Sequence, residues 1–199
     1  MKKFFTEKTR FVRHRLIKVL STSVYNYALS PRPMIQYLAE TFNNQPLVGV
    51  EIGVAEGNNS KSMLKNLNMK MLYLVDPYIA YEDGVTTHAT EFLKGLETVV
   101  KSLANLPNVT FIQKKSENAA PDIPNNIDFC YIDGNHSYES VKTDIELYYP
   151  KIKVGGLIGG HDFESRFVGL CSAVLEFAKK NKLKLSGGPG KNDWWITKC

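Results

Sequence analysis

From Leu47 onward, short apolar runs alternate with stretches in which apolar residues recur every three to four positions. Runs such as MLYLV (71–75), VTFI (109–112) and IDFCYI (127–132) are almost continuously apolar, the pattern of strands covered on both faces. The pattern predicts strands at 47–52, 70–75, 109–113, 127–132, 155–160, 183–187 and 193–198, and helices near 58–67, 89–104, 138–149 and 165–180. Helices between strands supply the crossovers that parallel strands need, so the fold class is α/β: an open, doubly wound sheet with helices on both faces. Ligands bind such sheets beyond the carboxyl ends of the strands, where strand order reverses. Polar residues at those ends are therefore the candidates for chemistry.

Before the first strand the pattern changes. Val12, Leu16, Val19 and Leu20 share one helical face, and after the Ser30-Pro31-Arg32-Pro33 break Met34, Leu38 and Phe42 form a second short stripe. We read residues 1–44 as a basic helical arm and 45–199 as the main domain. Of the net charge of +5, the first twenty residues alone hold seven basic residues against Glu7, so the rest is close to neutral. A near-neutral body offers no broad positive groove, which argues against nucleic acid as the main partner. The arm packs on the body or on a second subunit as a homodimer contact, touches an anionic membrane surface, or stays a mobile tail. Hydrophobic content is 43%, yet no stretch reaches the roughly 20 apolar residues of a membrane span. Cys130, Cys171 and Cys199 have neither metal-ligand spacing nor an even count, which fits free thiols in a cytoplasmic setting.

The stretch VGVEIGVAEGNNS (48–60) is the densest signal. An apolar strand ends at Glu51, then Gly53, Val54, Ala55, Glu56 and Gly57 form a turn that leads to a helix start near Ser60. Glycines there let the backbone approach a ligand whose anionic part faces the free amides of the helix. Asp76, before Pro77 in YLVDPY, stands where a carboxylate accepts ribose hydroxyls. Gly53-x-x-x-Gly57 departs from the G-x-G-x-x-G of dinucleotide oxidoreductases and argues against that class. Ser116 and Glu117 follow the third strand, suited to the edge of an adenine ring. Asp133 and His136 follow the fourth, ahead of a helix that Ser137 caps and Val141, Ile145 and Tyr148 dock. His161 and Asp162 follow the fifth. Asp133, His161 and Asp162 form a candidate set for Mg²⁺ or Mn²⁺.

EIGVAEGNNS, VDPY, IDGNHSYESVKTDIELYYPKIKVGGLIGGHDF and DWWITKC together resemble a class I S-adenosylmethionine-dependent methyltransferase. More narrowly, they resemble the small, often metal-assisted O-methyltransferases that act on sugars, antibiotics and related metabolites. The resemblance covers about residues 45–199. It implies a Rossmann-like seven-stranded sheet, mostly parallel, with the last strand antiparallel beside the fifth. It also implies that the Glu51–Gly57 turn, with Ser60, holds the methionine part of the cofactor, that Asp76 and Pro77 meet the ribose, and that Ser116 and Glu117 border the adenine. Asp133 and His136 then lie near the methyl group and a small-molecule acceptor. Metal-dependent relatives pair the first carboxylate with two adjacent acids after the next strand, where this chain has His161-Asp162. His136 as general base and a metal that acidifies the acceptor are both open at this point. So are methylation of RNA or protein, prompted by the arm, and a cofactor-binding homologue without catalysis. Tyr78, Tyr81 and His88, in a polar segment over 78–90, are candidate acceptor contacts, with a solvated connector as the alternative. Trp194 and Trp195 read as strand packing.

Overall fold

The computed structural model describes residues 31–79, 92–188 and 192–199. The chain divides into two units, Met1–Pro31 and Arg32–Cys199, and everything that follows concerns the second. The expected helix in residues 1–20, together with Tyr81 and His88, lies outside the described residues.

The elements are α1 (Pro33–Phe42), β1 (Leu47–Ile52), α2 (Asn58–Asn66), β2 (Met69–Val75), α3 (Phe92–Ser102), β3 (Val109–Ile112), the single turn α4 (Ser116–Ala119), β4 (Ile127–Ile132), α5 (Tyr138–Tyr148), β5 (Ile152–Gly160), α6 (Val168–Lys180), β6 (Leu185–Gly187) and β7 (Trp194–Thr197). They form one seven-stranded sheet in the order β3-β2-β1-β4-β5-β7-β6. The pairs among β1 to β5 are parallel, and β7 runs antiparallel to both β5 and β6. This is the Rossmann-like doubly wound sheet with one reversed strand that the sequence led us to expect. Strand order turns back between β1 and β4, which sets the crevice of such folds at their carboxyl ends.

One apolar layer lies on each side of the sheet. Val141, Ile145 and Tyr148 of α5, with Leu170 and Val174 of α6, pack with Ile52, Cys130 and Ile158. Across the sheet, Met34, Ile35 and Leu38 of α1 pack with Leu72, Phe129 and Leu157. All three α1 residues are fully buried; at roughly 1.5–3 kcal/mol for each such side chain, this face strongly anchors the helix. The α1 helix, grouped with the arm by sequence, thus contributes to the core. Trp194 and Trp195 are buried strand residues, and Trp195 stacks on Tyr37 of α1 at 5.1 Å. Among the described residues no helix is long and apolar enough to cross a membrane.

The strand ends are level with one another. Ile52 pairs with both Val75 and Ile132, Val75 with Ile112, Ile132 with Gly160, and Gly160 with Trp194. Gly53, Asp76, Asp133, His161 and Asp193 are the next residues outward and so form a row along one edge of the sheet. Backbone bonds extend the ladder into that row, from Gly53 N–H to the Val75 carbonyl at 2.9 Å and from Asp133 N–H to the Ile52 carbonyl at 2.7 Å.

Candidate functional site

Above the row lies a cavity of about 440 Å³, within the range typical of small-molecule sites. Gly53, Ala55, Asp76 and Pro77 line it, together with Ser116 and Glu117 after β3 and Asp133 and His136 after β4. The expected cofactor residues from four separate strand ends thus meet on one cavity. Glu51, Val54, Glu56, Gly57 and Ser60 are not among its lining residues.

The turn after β1 shows why. Gly53 has φ +85°, and a Cβ there would stand 2.3 Å from the Asp133 carbonyl oxygen, so only glycine lets the ends of β1 and β4 close on each other. Gly57 has φ +71° at the start of α2, and a Cβ would press on Leu103 and Val99. Its role is helix packing. Glu51 is 1% exposed and accepts hydrogen bonds from Asn59 Nδ2 at 2.9 Å and from the Ser60 hydroxyl. It therefore ties β1 to the first turn of α2. Burial outweighs those bonds and raises its carboxyl to about 7.

Asp76 supports the same turn from the neighbouring strand. Its Oδ2 accepts the Val54 and Ala55 amides at 2.8 and 3.0 Å, and its Oδ1 accepts the Tyr78 amide at 2.8 Å. Ala55 sits at φ 47°, a conformation costly for alanine, and these bonds help hold it. Tyr78 is 6% exposed and donates its hydroxyl to the Ala55 carbonyl at 2.7 Å. Tyr78 is therefore a brace for the turn, turned inward from the acceptor role the sequence offered it.

At the third strand end, Ser116 opens α4, and its carbonyl accepts the Tyr148 hydroxyl at 2.9 Å. Asp144 of α5 also lines the cavity here, 3% exposed. Burial raises its carboxyl to about 7, a bond from the Ser116 side chain acts the other way, and the nearby Glu117 adds to the rise. Sequence reasoning passed over this residue. The signal was present, because Asp144 falls on the same stripe as Val141, Ile145 and Tyr148.

The β4 and β5 ends bring two histidines and two aspartates together. Ser137 caps α5, its hydroxyl accepting the Ser140 amide at 3.3 Å, which leaves the preceding His136 facing the β5 end. His136 Nε2 lies 3.2 Å from Asp162 Oδ2, and the imidazole packs on the Phe167 ring at 4.3 Å. His161 Nδ1 approaches the other Asp162 oxygen at 3.0 Å. Burial alone would raise the Asp162 carboxyl, but hydrogen bonds from the two histidines hold it well below the usual carboxylate range.

Asp133, His136 and Asp162 each offer a ligand atom, and these atoms lie within 4.8 Å of one another. Two carboxylate oxygens and an imidazole nitrogen suit Mg²⁺ or Mn²⁺ in donor chemistry. The structure thus replaces one member of the expected metal set, with His136 in the place given to His161. The reason is the β5 exit: Asp162 takes φ 59°, and His161 is held between Asp162 and Asp193, its Nε2 3.9 Å from Asp193 Oδ1.

Two further residues stand behind Asp133 and Tyr131. Asp193, fully buried at the start of β7, accepts the Met34 amide and the Tyr131 hydroxyl, both at 2.9 Å. Arg32, the residue before α1, places Nη1 2.6 Å from Asp133 Oδ2 and 3.2 Å from the Tyr131 hydroxyl. Arg32 has no motif signal, and Asp193 stands in DWWITKC without a periodic signal that marks it as a buried acceptor.

A family model described as a methyltransferase domain matches residues 50–163. An uncharacterised protein of Acanthamoeba polyphaga mimivirus is 30% identical over 165 residues, covering 79% of this chain and 71% of its own. Among solved structures, the O-methyltransferase NovP superposes with a TM-score of 0.62 at 20% identity, covering 82% of this chain and 77% of that one. An rRNA methylase from Streptococcus thermophilus gives a TM-score of 0.54 at 18% identity, covering 83% and 94%. At such identities these likenesses concern the fold.

Proposed function

Because the chain belongs to the methyltransferase-domain family and is an S-adenosylmethionine-dependent methyltransferase, we propose that it methylates a hydroxyl group of a small molecule, a sugar or another metabolite. The observation that carries this reading is that His136, which lines the cavity beside Asp133, is paired with Asp162 at 3.2 Å. S-adenosylmethionine supplies a methyl group already made electrophilic by its sulfonium, so the protein has to align the acceptor oxygen and take its proton. The Asp162 charge 3.2 Å from Nε2 favours the tautomer with its proton there and its basic lone pair on Nδ1. His136 then accepts the hydroxyl proton as the acceptor oxygen takes up the methyl group, and Asp162 stabilises the imidazolium.

Gly53, Ala55 and Asp76 would hold the methionine and ribose parts. Asp76 supports this role because a carboxylate has about four lone-pair sites, of which three amide bonds leave room for a ribose hydroxyl. Ser116, Glu117 and Asp144 would border the adenine.

A second reading rests on the Asp133, His136 and Asp162 group. There His136 would be a ligand and not the base, and a divalent ion, when bound, would acidify the acceptor hydroxyl.

Two measurements test the proposal. Calorimetric titration should detect S-adenosylhomocysteine, and absence of binding would sink the whole reading. Release of S-adenosylhomocysteine in the presence of hydroxylated metabolites should exceed the rate without acceptor. Release driven only by RNA or protein, and lost on deletion of residues 1–20, would turn the reading to a macromolecular substrate. Cofactor binding with no transfer to any acceptor would favour a non-catalytic homologue.

A further inference from the structure

Arg32 occupies a position of consequence for the two ways of removing the proton. Its Nη1 takes Asp133 Oδ2 at 2.6 Å, and the same nitrogen reaches the Tyr131 hydroxyl. The guanidinium carbon lies 5.8 Å from the Tyr131 ring centroid, within cation–π range. Tyr131 is itself fixed by its bond to Asp193, and Asp193 also accepts the Met34 amide two residues beyond Arg32. The cation is thus held through its head, by Asp133 and Tyr131, and through its backbone, by the anchored start of α1.

Charge decides what this does to the ion-binding group. Asp133 and Asp162 bring two negative charges, and His136 in neutral form brings none. Arg32 already balances one of the two, while His161 adds no negative charge beside Asp162. Burial disfavours the guanidinium, yet Asp133 and the Tyr131 oxygen more than offset this, so it stays charged at any working pH. A divalent ion entering beside Asp133 would meet a fixed positive charge on the same carboxylate, in a partly desolvated setting where like-charge repulsion is weakly screened.

We propose that Arg32 is a tethered counter-ion for Asp133 that keeps the Asp133–His136–Asp162 group from taking a divalent cation, so that proton removal falls to His136 without a metal. This rests on the methyltransferase reading of the site and chooses between its two forms. Arg32 acts through Asp133 and is a positioning residue.

The test reads metal binding directly, without turnover. Mn²⁺ is titrated into the full chain and followed by the electron paramagnetic resonance signal of the free ion, for wild type, Arg32→Gln, Arg32→Met and Arg32→Lys. Removing the charge in Arg32→Gln and Arg32→Met should tighten Mn²⁺ binding at least tenfold. Arg32→Lys keeps the charge and should match wild type. Adding Asp133→Asn to Arg32→Gln should abolish the gain, which ties it to this group. Thermal melts identify any variant that fails to fold, and the two neutral variants serve as substitutes for each other. Wild type binding Mn²⁺ as tightly as the neutral variants, or neutral variants with no gain, would overturn the proposal. S-adenosylhomocysteine titration of the same wild-type sample is read separately, so loss of the methyltransferase reading is distinguishable from loss of this one.

Discussion

The Asp76 carboxylate accepts the Ala55 amide at 3.0 Å and, through this bond and its neighbours, fastens the end of β2 to the turn after β1. Asp76→Ala leaves the Val54, Ala55 and Tyr78 amides without their acceptor. We expect a stability loss of about 1–3 kcal/mol in urea denaturation. Affinity for S-adenosylhomocysteine should drop at least tenfold, and unchanged affinity would refute a cofactor role for this carboxylate.

Replacing His136 separates binding from chemistry. His136→Ala should lower single-turnover methyl transfer by about 10² or more while S-adenosylhomocysteine affinity stays within a few-fold of wild type. A parallel collapse in affinity would assign His136 to the cofactor site and leave the base unidentified.

Glu51 makes stability depend on pH in an unusual direction. Its folded carboxyl titrates at about 7, above the ordinary 4.5, so the native state holds the extra proton between those values. The associated stability is fully present below pH 4.5 and is lost as pH rises through 7. Glu51→Gln removes the titration and keeps an acceptor for Asn59 and Ser60. Relative to wild type it should therefore gain stability between pH 5 and pH 8, on the order of 2 kcal/mol. Equal differences at the two pH values would show that the buried carboxyl titrates normally.

Gly53 tests the closeness of β1 and β4. Gly53→Ala adds a Cβ against the Asp133 carbonyl, at a φ that alanine adopts only with strain. A loss of about 2 kcal/mol or more is expected, because the clash is with backbone that cannot rotate away. Binding of S-adenosylhomocysteine should fall with it; wild-type melting and binding would mean the strand ends are farther apart in solution.

Much of this architecture was legible because its strands are continuous apolar runs with clear stops. β1 and β4 begin and end where their runs do. β5 was read three residues short, from Gly155; Ile152 already pairs with Ile127, and the chain bulges at Gly155, φ +80°, before rejoining β4. The cavity residues Gly53, Asp76 and Asp133 were legible for one physical reason, that each follows the last apolar residue of a strand, and Ser116 and His136 because each lies four residues past one. Arg32 and Asp133 stand 101 positions apart, and Tyr131 and Asp193 stand 62 apart. Only folding brings such pairs together. That His136 and not His161 stands with Asp133 and Asp162 goes with the left-handed turn at Asp162, which local residue types permit but do not demand.

The place of β7 in the sheet gives the assembly an order. It is the last strand in the sequence, yet it inserts between β5 and β6 and is an edge to neither. Until it arrives, β5 presents a bare row of backbone donors and acceptors, the kind of edge on which other chains add. Asp193, at the entry to β7, acts as the latch, because Tyr131 and the α1 backbone find their partner only when it closes. Docking β7 therefore covers the β5 edge and gives Tyr131 and the Met34 amide their shared acceptor in a single step.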